Sequence, residues 1–284
     1  MKIRDRLLAR RGADADVAEE PYAELMVNSS GGVLYPARLP EFHRLPAAGP
    51  AADLVAWFWI PEWDIEPGGF SRQDVVGYPA LNLVVETGGV MLSGPTTRAS
   101  HRDLQGRGWA VGALLRPAAV AALVDDPAAL VDTARALEEP SLHAQVTAAM
   151  SSGDGHRERA VEAFSRWLVH RVGPLDESAH QANALVEVLG GADAALTPVE
   201  AATRLAVSVR TLQRMAHRYV GVSPAAMIRR RRLQDAAQIV REDPRADLAA
   251  IAAELGYADH AHLTRDFQAV LGLAPRTYRV GLGD

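Results

Sequence analysis

The sequence predicts an α+β chain in two parts: a β-rich, barrel-like N-terminal domain with trailing helices, followed by an all-α C-terminal domain. Three observations carry that expectation. Short apolar runs broken by Gly and Pro dominate residues 33–117, Ala-rich segments of helical spacing take over after Pro117, and the last third of the chain holds a duplicated helical unit. At 284 residues the chain exceeds the ~100–200 residues of one domain, so each part can bury its own core.

Taken in order, residues 1–32 are polar and end in NSSGG, which reads as a short helix over IRDRLLARR and then a linker. The runs LVAWFWI, LNLVVETGGVML and WAVGALL are strands, with ETGGV as a hairpin turn between two apolar stretches. Past Pro117 come the Ala-rich segments AAVAALV and AALVDTARAL, read as helical. In HRERAVEAFSRWLVHRV, Ala160, Ala163, Phe164, Trp167, Leu168 and Val172 fall on one helical face. SSGDG at 151–155 and GGADAAL at 190–196 have loop composition. We divide the chain into 1–177, β-rich to about 117 and helical after, and 178–284.

Composition removes several classes of function. With 48% apolar and 23% charged residues and no apolar run near the ~18 residues of a membrane span, the chain reads as globular, without a membrane partner. A charged N-terminus without an apolar h-region points to the cytoplasm. The absence of cysteine removes disulfides, thiolate zinc sites and cysteine nucleophiles. His43 and His101 lie far apart in sequence and no Gly-rich phosphate loop or GxSxG elbow is present, so no metal, cofactor or catalytic residue is expected. Residues 190–284 carry 13 Arg against 10 acids, net +3, while residues 1–189 carry 17 basic and 25 acidic side chains, net −8. That asymmetry suggests a polyanion facing the C-terminal part.

LQRMAHRYVGVSP at 212–224 repeats as LTRDFQAVLGLAP at 263–275: Leu212, Arg214, Gly221 and Pro224 match Leu263, Arg265, Gly272 and Pro275 at an offset of 51. Upstream, Ala202 and Ala206 match Ala252 and Gly256 at an offset of 50, so the second turn is one residue longer. Each unit reads as helix, turn of three or four residues, helix, the helix-turn-helix pattern, with small residues where the helices cross. Thr197 and Asp247 are placed to cap the first helices, with Pro198 at the opening position of one. Leu212, Met215 and Tyr219 form a core stripe in the first unit, as do Leu263, Phe267 and Val270 in the second. The opposite faces carry Arg210, Gln213 and Arg214 in one unit and His260, Ala261, Thr264 and Arg265 in the other. Arg pairs in bidentate fashion with guanine, Gln with adenine, and Thr meets the thymine methyl, so these residue types suit the major groove of double-stranded DNA. Any single polar stripe is more often a solvated face; duplication on two units favours the groove.

Between the units, residues 223–243 read as one helix begun by Ser223 and Pro224, about 28 Å long at ~1.5 Å per residue. It opens with four consecutive arginines, Arg229 to Arg232. At ~100° per residue these fan around the helix and cannot share one polyanion. Arg231 reaches toward Asp235, Arg232 reads as structural, and Arg229 is assigned to the DNA backbone together with Ser208, Arg218 and Arg276.

The closing stretch GYADHAHLTRDFQAVLGLAPRTYR resembles the signature of the AraC/XylS transcription regulators in Gly256, Tyr257, Asp259, His262, Leu263, Arg265, Phe267, Gly272, Pro275 and Tyr278. The resemblance implies tandem helix-turn-helix units joined by a long helix, base contacts from the seven residues named above, and RNA polymerase and a second copy of the chain as further partners. His260 and Ala261 depart from the Gln and the Ser or Gln common in that family. The N-terminal part is similar to the β-then-helix regions that bind a small effector in some members. Trp57, Trp59, Trp63, Tyr78 and Trp109 suit either the wall of such a pocket or the β core. Two classes of function remain open: a regulator answering to an effector, marked by an apolar pocket with few polar groups, and an enzyme or protein-binding module tethered to DNA, marked by a convergent acid, base and nucleophile.

Overall fold

The computed structural model describes residues 41–75, 77–191 and 196–280. The short helix expected near the N-terminus, and part of the loop at 190–196, lie outside the described residues. No described helix is long and apolar enough to cross a membrane.

Among the described residues, eight strands build the first part: β1 (Glu41–Leu45), β2 (Val55–Asp64), β3 (Ser71–Val75), β4 (Asn82–Glu86), β5 (Gly89–Ser93), β6 (Ser100–Leu104), β7 (Arg107–Leu115) and β8 (Ala134–Ala136). Six form one antiparallel sheet in the order β1-β2-β7-β4-β5-β8, and β3 pairs with β6 as a separate ribbon. Thr87 and Gly88 form the two-residue turn that joins β4 to β5, with Glu86 opposite Gly89. Two stretches differ from the sequence expectation. AALVDTARAL is not a helix: residues 127–130 form a 3-10 turn, Asp132 adopts a left-handed φ of 57°, and β8 completes the sheet on the edge of β5. Strand pairing outweighs the helix propensity of the alanines there. SHRDL, outside the apolar runs read as strands, is β6, with Ser100 to Asp103 exposed and Leu104 buried.

Strand alternation gives the main sheet two faces. A register shift between Val55 and Trp57 sets the phase of β2, after which Phe58 and Ile60 join Leu83, Val85, Leu92, Val111 and Ala113 in the core. Three helices cover that face: α1 (Pro117–Val120), α2 (Pro140–Met150) and α3 (His156–Val172). Phe58 meets Phe164 edge to face at 5.5 Å, and Leu142, Val146 and Leu168 are fully buried.

The N-terminus of α3 is clasped to the sheet. Arg157 donates to Glu62 at 2.5 Å and to Glu41 at 2.8 Å, and the His156 imidazole lies 3.0 Å from Glu62. Glu41, His43 and Glu62 have ligand atoms within 4.8 Å of one another, a grouping that distance in sequence concealed. The Arg157 guanidinium sits on both carboxylates, so we read the group as an ion-pair clasp.

Helix α4 (Glu177–Gly190) leads into the second part. There α5 (Pro198–Arg204) and α6 (Val209–Tyr219) form one unit, α7 (Pro224–Glu242) is the connecting rod, α8 (Leu248–Glu254) and α9 (His260–Leu271) form the second unit, and α10 (Pro275–Val280) closes it. Side chains of Thr197, Ser208, Ser223, Asp247 and Asp259 each accept a backbone N–H in the first turn of the helix they precede. The turns span four and five residues, 205–208 and 255–259. Both turn through a left-handed residue, Ala206 at φ 52° and Gly256 at φ 72°. Leu212 and Ala216 of α6 are the buried positions, with Met215 and Tyr219 only partly covered. Met227 and Ile228 of α7 join the first unit's core, while Leu233, Ala236, Ala237, Ile239 and Val240 join the second. The rod is a shared wall of two small cores.

Two outcomes are expected. The Glu62 carboxyl is held below its usual range: burial acts to raise it and is outweighed by the hydrogen bonds and charges of Arg157 and His156. A depressed carboxylate contributes stability present above its unfolded value of about 4.5 and lost as pH falls through the lower folded value. Urea midpoints should therefore show Arg157→Met less stable at neutral pH by about 1–2 kcal/mol and losing less than the parent below about pH 4.5. Gly256→Ala should cost about 1–2 kcal/mol in the same assay, because a Cβ disfavours the left-handed turn.

Candidate nucleic-acid interface and the N-terminal cavity

The seven residues expected to read bases all sit on α6 and α9, the second helices of the two units. Arg210, Gln213 and Arg214 are exposed on α6; His260, Ala261 and Arg265 are exposed on α9, and Thr264 is partly covered. The periodicity that buries Leu212 and Ala216 on one helix, and Leu263 and Phe267 on the other, turns these side chains outward. Arg210, Gln213 and Arg214 have no side-chain hydrogen bond or ion pair among the described residues, so their donors face solvent. His262 differs: it packs edge-on against Tyr257 at 5.2 Å.

The residues assigned to the DNA backbone divide. Arg276 is exposed, and Arg218 is exposed with its guanidinium 5.5 Å from the Tyr219 ring. The Ser208 hydroxyl caps α6 by accepting from Thr211 N–H at 3.0 Å. Arg229 is paired with Asp266 of α9 at 2.7 Å, which fixes the second unit against the rod.

The other three arginines of the run are also engaged within the chain. Arg231 bonds to Asp235 at 2.7 Å and to the carbonyls of Gly190 and Gly191. Arg232 donates to the carbonyl of Leu196 at 2.5 Å and lies 5.7 Å from the Tyr257 ring. Arg230 is 3% exposed and crosses into the N-terminal part, donating to Gly77 O at 2.9 Å, Thr96 Oγ1 at 3.1 Å and Arg98 O at 3.4 Å. Desolvation draws its guanidinium down to about 10, against the opposing charge of Asp132, so it stays protonated at neutral pH. Helical spacing carries the signal for this residue: Met227, Arg230 and Leu233 follow one another at three-residue steps along a buried stripe.

Further contacts join the same two parts. Asn183 of α4, 8% exposed, accepts from Ala118 N–H at 2.9 Å and donates to Asp53 O at 2.8 Å. Arg116 pairs with Glu187 at 2.7 Å, and the Ala99 N–H donates to Val270 O at 2.6 Å.

On the sheet face away from α1–α3, a cavity of about 550 Å³ opens between the main sheet and the β3–β6 ribbon. Trp57, Trp59 and Trp63 line it from alternate positions of β2, with Tyr78 from the following loop and Phe42 from β1. Trp109 was expected beside them, but alternation along β7 sends it to the other face, where it packs against the helical layer's core. Gly108 and Gly112 of β7 make room for the rings: a Cβ at either position would overlap the indole of Trp63 or Trp59. Trp59 Nε1 donates to Asn82 Oδ1 at 3.0 Å, and Trp57 meets Tyr78 edge to face at 4.9 Å. Gly77 and Thr96, the partners of Arg230, belong to this cavity's lining.

Comparison with known proteins follows these features. A family profile described as a helix-turn-helix domain matches residues 201–280, and one described as a domain of unknown function (DUF6597) matches residues 33–135. Two proteins described as AraC-like transcription regulators, from Streptomyces antibioticus and Streptomyces lividans, are 36% and 35% identical over 124 residues. In each case the match covers 44% of this chain and 39% of the relative, so the chain spans about two fifths of their length. Among solved structures, a point variant of apo ToxT from Vibrio cholerae aligns with 84% of this chain and 100% of its own at 11% identity and a TM-score of 0.40. ToxT from the same species bound to (E)-4-(8-methylnaphthalen-1-yl)but-3-enoic acid aligns with 85% of this chain and 98% of its own at 11% identity and a TM-score of 0.38. The sequence match and the paired helix-turn-helix units agree: residues 201–280 are a helix-turn-helix domain, and the chain is similar over 124 residues to AraC-like transcription regulators.

Proposed function

We propose that the chain is a sequence-specific DNA-binding transcription regulator in which residues 178–284 bind the duplex and residues 1–177 hold a small-molecule effector. The observation that carries the reading is the pair of outward faces, Arg210–Gln213–Arg214 on α6 and His260–Thr264–Arg265 on α9, on two units joined by the 19-residue rod α7. Arg214 and Arg265 supply bidentate donors suited to guanine, and Gln213 suits adenine. Arg218 and Arg276 are placed for phosphate. The internal pairing of Arg229 leaves it a minor phosphate contact at most.

The effector site is the tryptophan-lined cavity, and Arg230 is the route from it to the DNA-binding part, since its three acceptors lie in or beside the cavity wall. An occupant that shifts Gly77 or Thr96 alters the seat of α7. RNA polymerase and a second copy of the chain remain partners by family resemblance only.

Selection of duplexes from a random pool, with and without metabolite fractions, tests both halves of the reading. A single enriched sequence is expected, and a flat pool overturns it. Arg214→Ala and Arg265→Ala should each weaken binding to the enriched site by about 1–3 kcal/mol and relax preference at one base pair. Equal losses on random duplex would make them phosphate clamps instead. Arg230→Met should lower unfolding stability by about 2–4 kcal/mol, because it strips a buried charged donor from three oxygens, whereas Arg214→Ala leaves stability within about 0.5 kcal/mol of the parent. Matched urea titrations of the two variants read that difference.

A further inference from the structure

We propose that the cavity is built for a flat, uncharged aromatic ligand, an inference that rests on the effector reading and specifies its chemistry. Shape is the first reason. Gly108 and Gly112 surrender their side chains to let the indoles of Trp63 and Trp59 lie close against β7, so the floor of the site is made of ring faces. Trp57 and Tyr78 stand edge to face beside them. Stacked and edge-on contacts of this kind favour a planar ring system over a branched aliphatic chain. A volume of about 550 Å³ lies within the ~300–1,000 Å³ of small-molecule clefts.

Charge is the second reason. Of the four permanent charges on the cavity wall, Glu86, Arg102 and Asp132 are hydrogen-bonded from within the chain, and the fourth, Arg44, lies on a tryptophan ring. Glu86 receives two hydrogen bonds from Arg102, at 2.7 and 2.5 Å. Asp132 accepts from Thr97 N–H at 2.7 Å and from Thr97 Oγ1 at 2.5 Å. The Arg44 guanidinium lies 4.9 Å from the Trp57 ring centroid, where an organic cation would otherwise find an aromatic face. A charged ligand would have to break one of these arrangements or enter desolvated, which is costly in either case. Neutral polar groups on the wall, among them Asn82, Ser93 and Thr133, suit one or two hydrogen bonds to a hydroxyl, carbonyl or ring heteroatom.

The test uses the full chain and three probes of one skeleton: fluorene-2-methanol, fluorene-2-carboxylate and protonated 2-(aminomethyl)fluorene, measured by equilibrium dialysis at neutral pH. The alcohol should bind at least about tenfold more tightly than either ion, since only the ions carry the desolvation penalty. Trp59→Leu should weaken the alcohol by about tenfold or more, and Trp63→Leu, nearer the rim of the sheet, gives the same readout should the first variant fail to fold. Equal or tighter binding of an ion overturns the proposal, as do binding of none of the three and full affinity in a folded tryptophan variant. Duplex selection reports separately: a flat pool sinks the regulator reading whatever the dialysis shows, and an enriched sequence leaves that reading standing if the probes fail.

Discussion

Four successive guanidinium groups on one helix hold this molecule together. A helix advances about 100° per residue, so Arg229, Arg230, Arg231 and Arg232 must point in four directions. Each finds a different anchor: Asp266 on α9, the backbone beside the cavity, the end of α4, and the segment leading into the first unit. The fan of arginines is engaged within the chain at all four positions, Arg231 with Asp235 as its spacing indicates. Most of its acceptors are backbone carbonyls, which suits a guanidinium with five donors in a fixed fork better than a lysine ammonium. Arg230 is the most deeply buried of the four, the charge of Asp132 opposes its desolvation, and three oxygens accept from it.

The brace matters because the main sheet has committed both of its faces. The register shift at the start of β2 decides which residues face the helices and which face the cavity, and the choice runs across the sheet through the pairing of β2, β7, β4 and β5. Helices α1 to α3 fill one side. The ribbon and the loops at 77–80 and 94–99 cover the other side, and Val186 of α4 packs beside Trp57 and Leu114 on it. Arg230 and the Ala99 to Val270 backbone bond attach to those loops, so the wall of the cavity is also the socket of the second domain.

Much of the C-terminal part was legible in the sequence because its signals are local. Capping residues, a small residue at each turn and a repeated apolar stripe each act within a few positions, and the helices fall where they indicate. The misreadings in the N-terminal part have non-local causes. AALVDTARAL has helical composition, yet the open edge of β5 recruits Ala134–Ala136 as a strand. Trp109 looked like its aromatic neighbours, but the face a strand residue takes depends on a register set fifty residues earlier in β2. At ~100° per residue Arg230 points away from both Arg229 and Arg232. Its place in the stripe between Met227 and Leu233 marks burial, although no pattern within the helix names the loop it meets.

The position of Arg230 along the rod has a mechanical consequence. It lies between Ile228, the last rod residue in the first unit's core, and Leu233, the first in the second's. Close-packed interiors transmit displacement with little compression, so a force applied at Arg230 reaches both units through one continuous helix. The Arg229–Asp266 pair, one residue away, ties the same point of the rod directly to α9. The first unit meets the rod through the shared core of Met227, Ile228, Leu212 and Ala216 and through the bond from Arg232 to the Leu196 carbonyl, with no ion pair to α6 among the described residues. Movement at the cavity wall therefore acts on the two faces unequally: α9 follows through an ion pair and a shared core, α6 through a core of smaller side chains. If the proposed effector displaces that wall, a change in the spacing or tilt of one face relative to the other is expected, rather than release of both together.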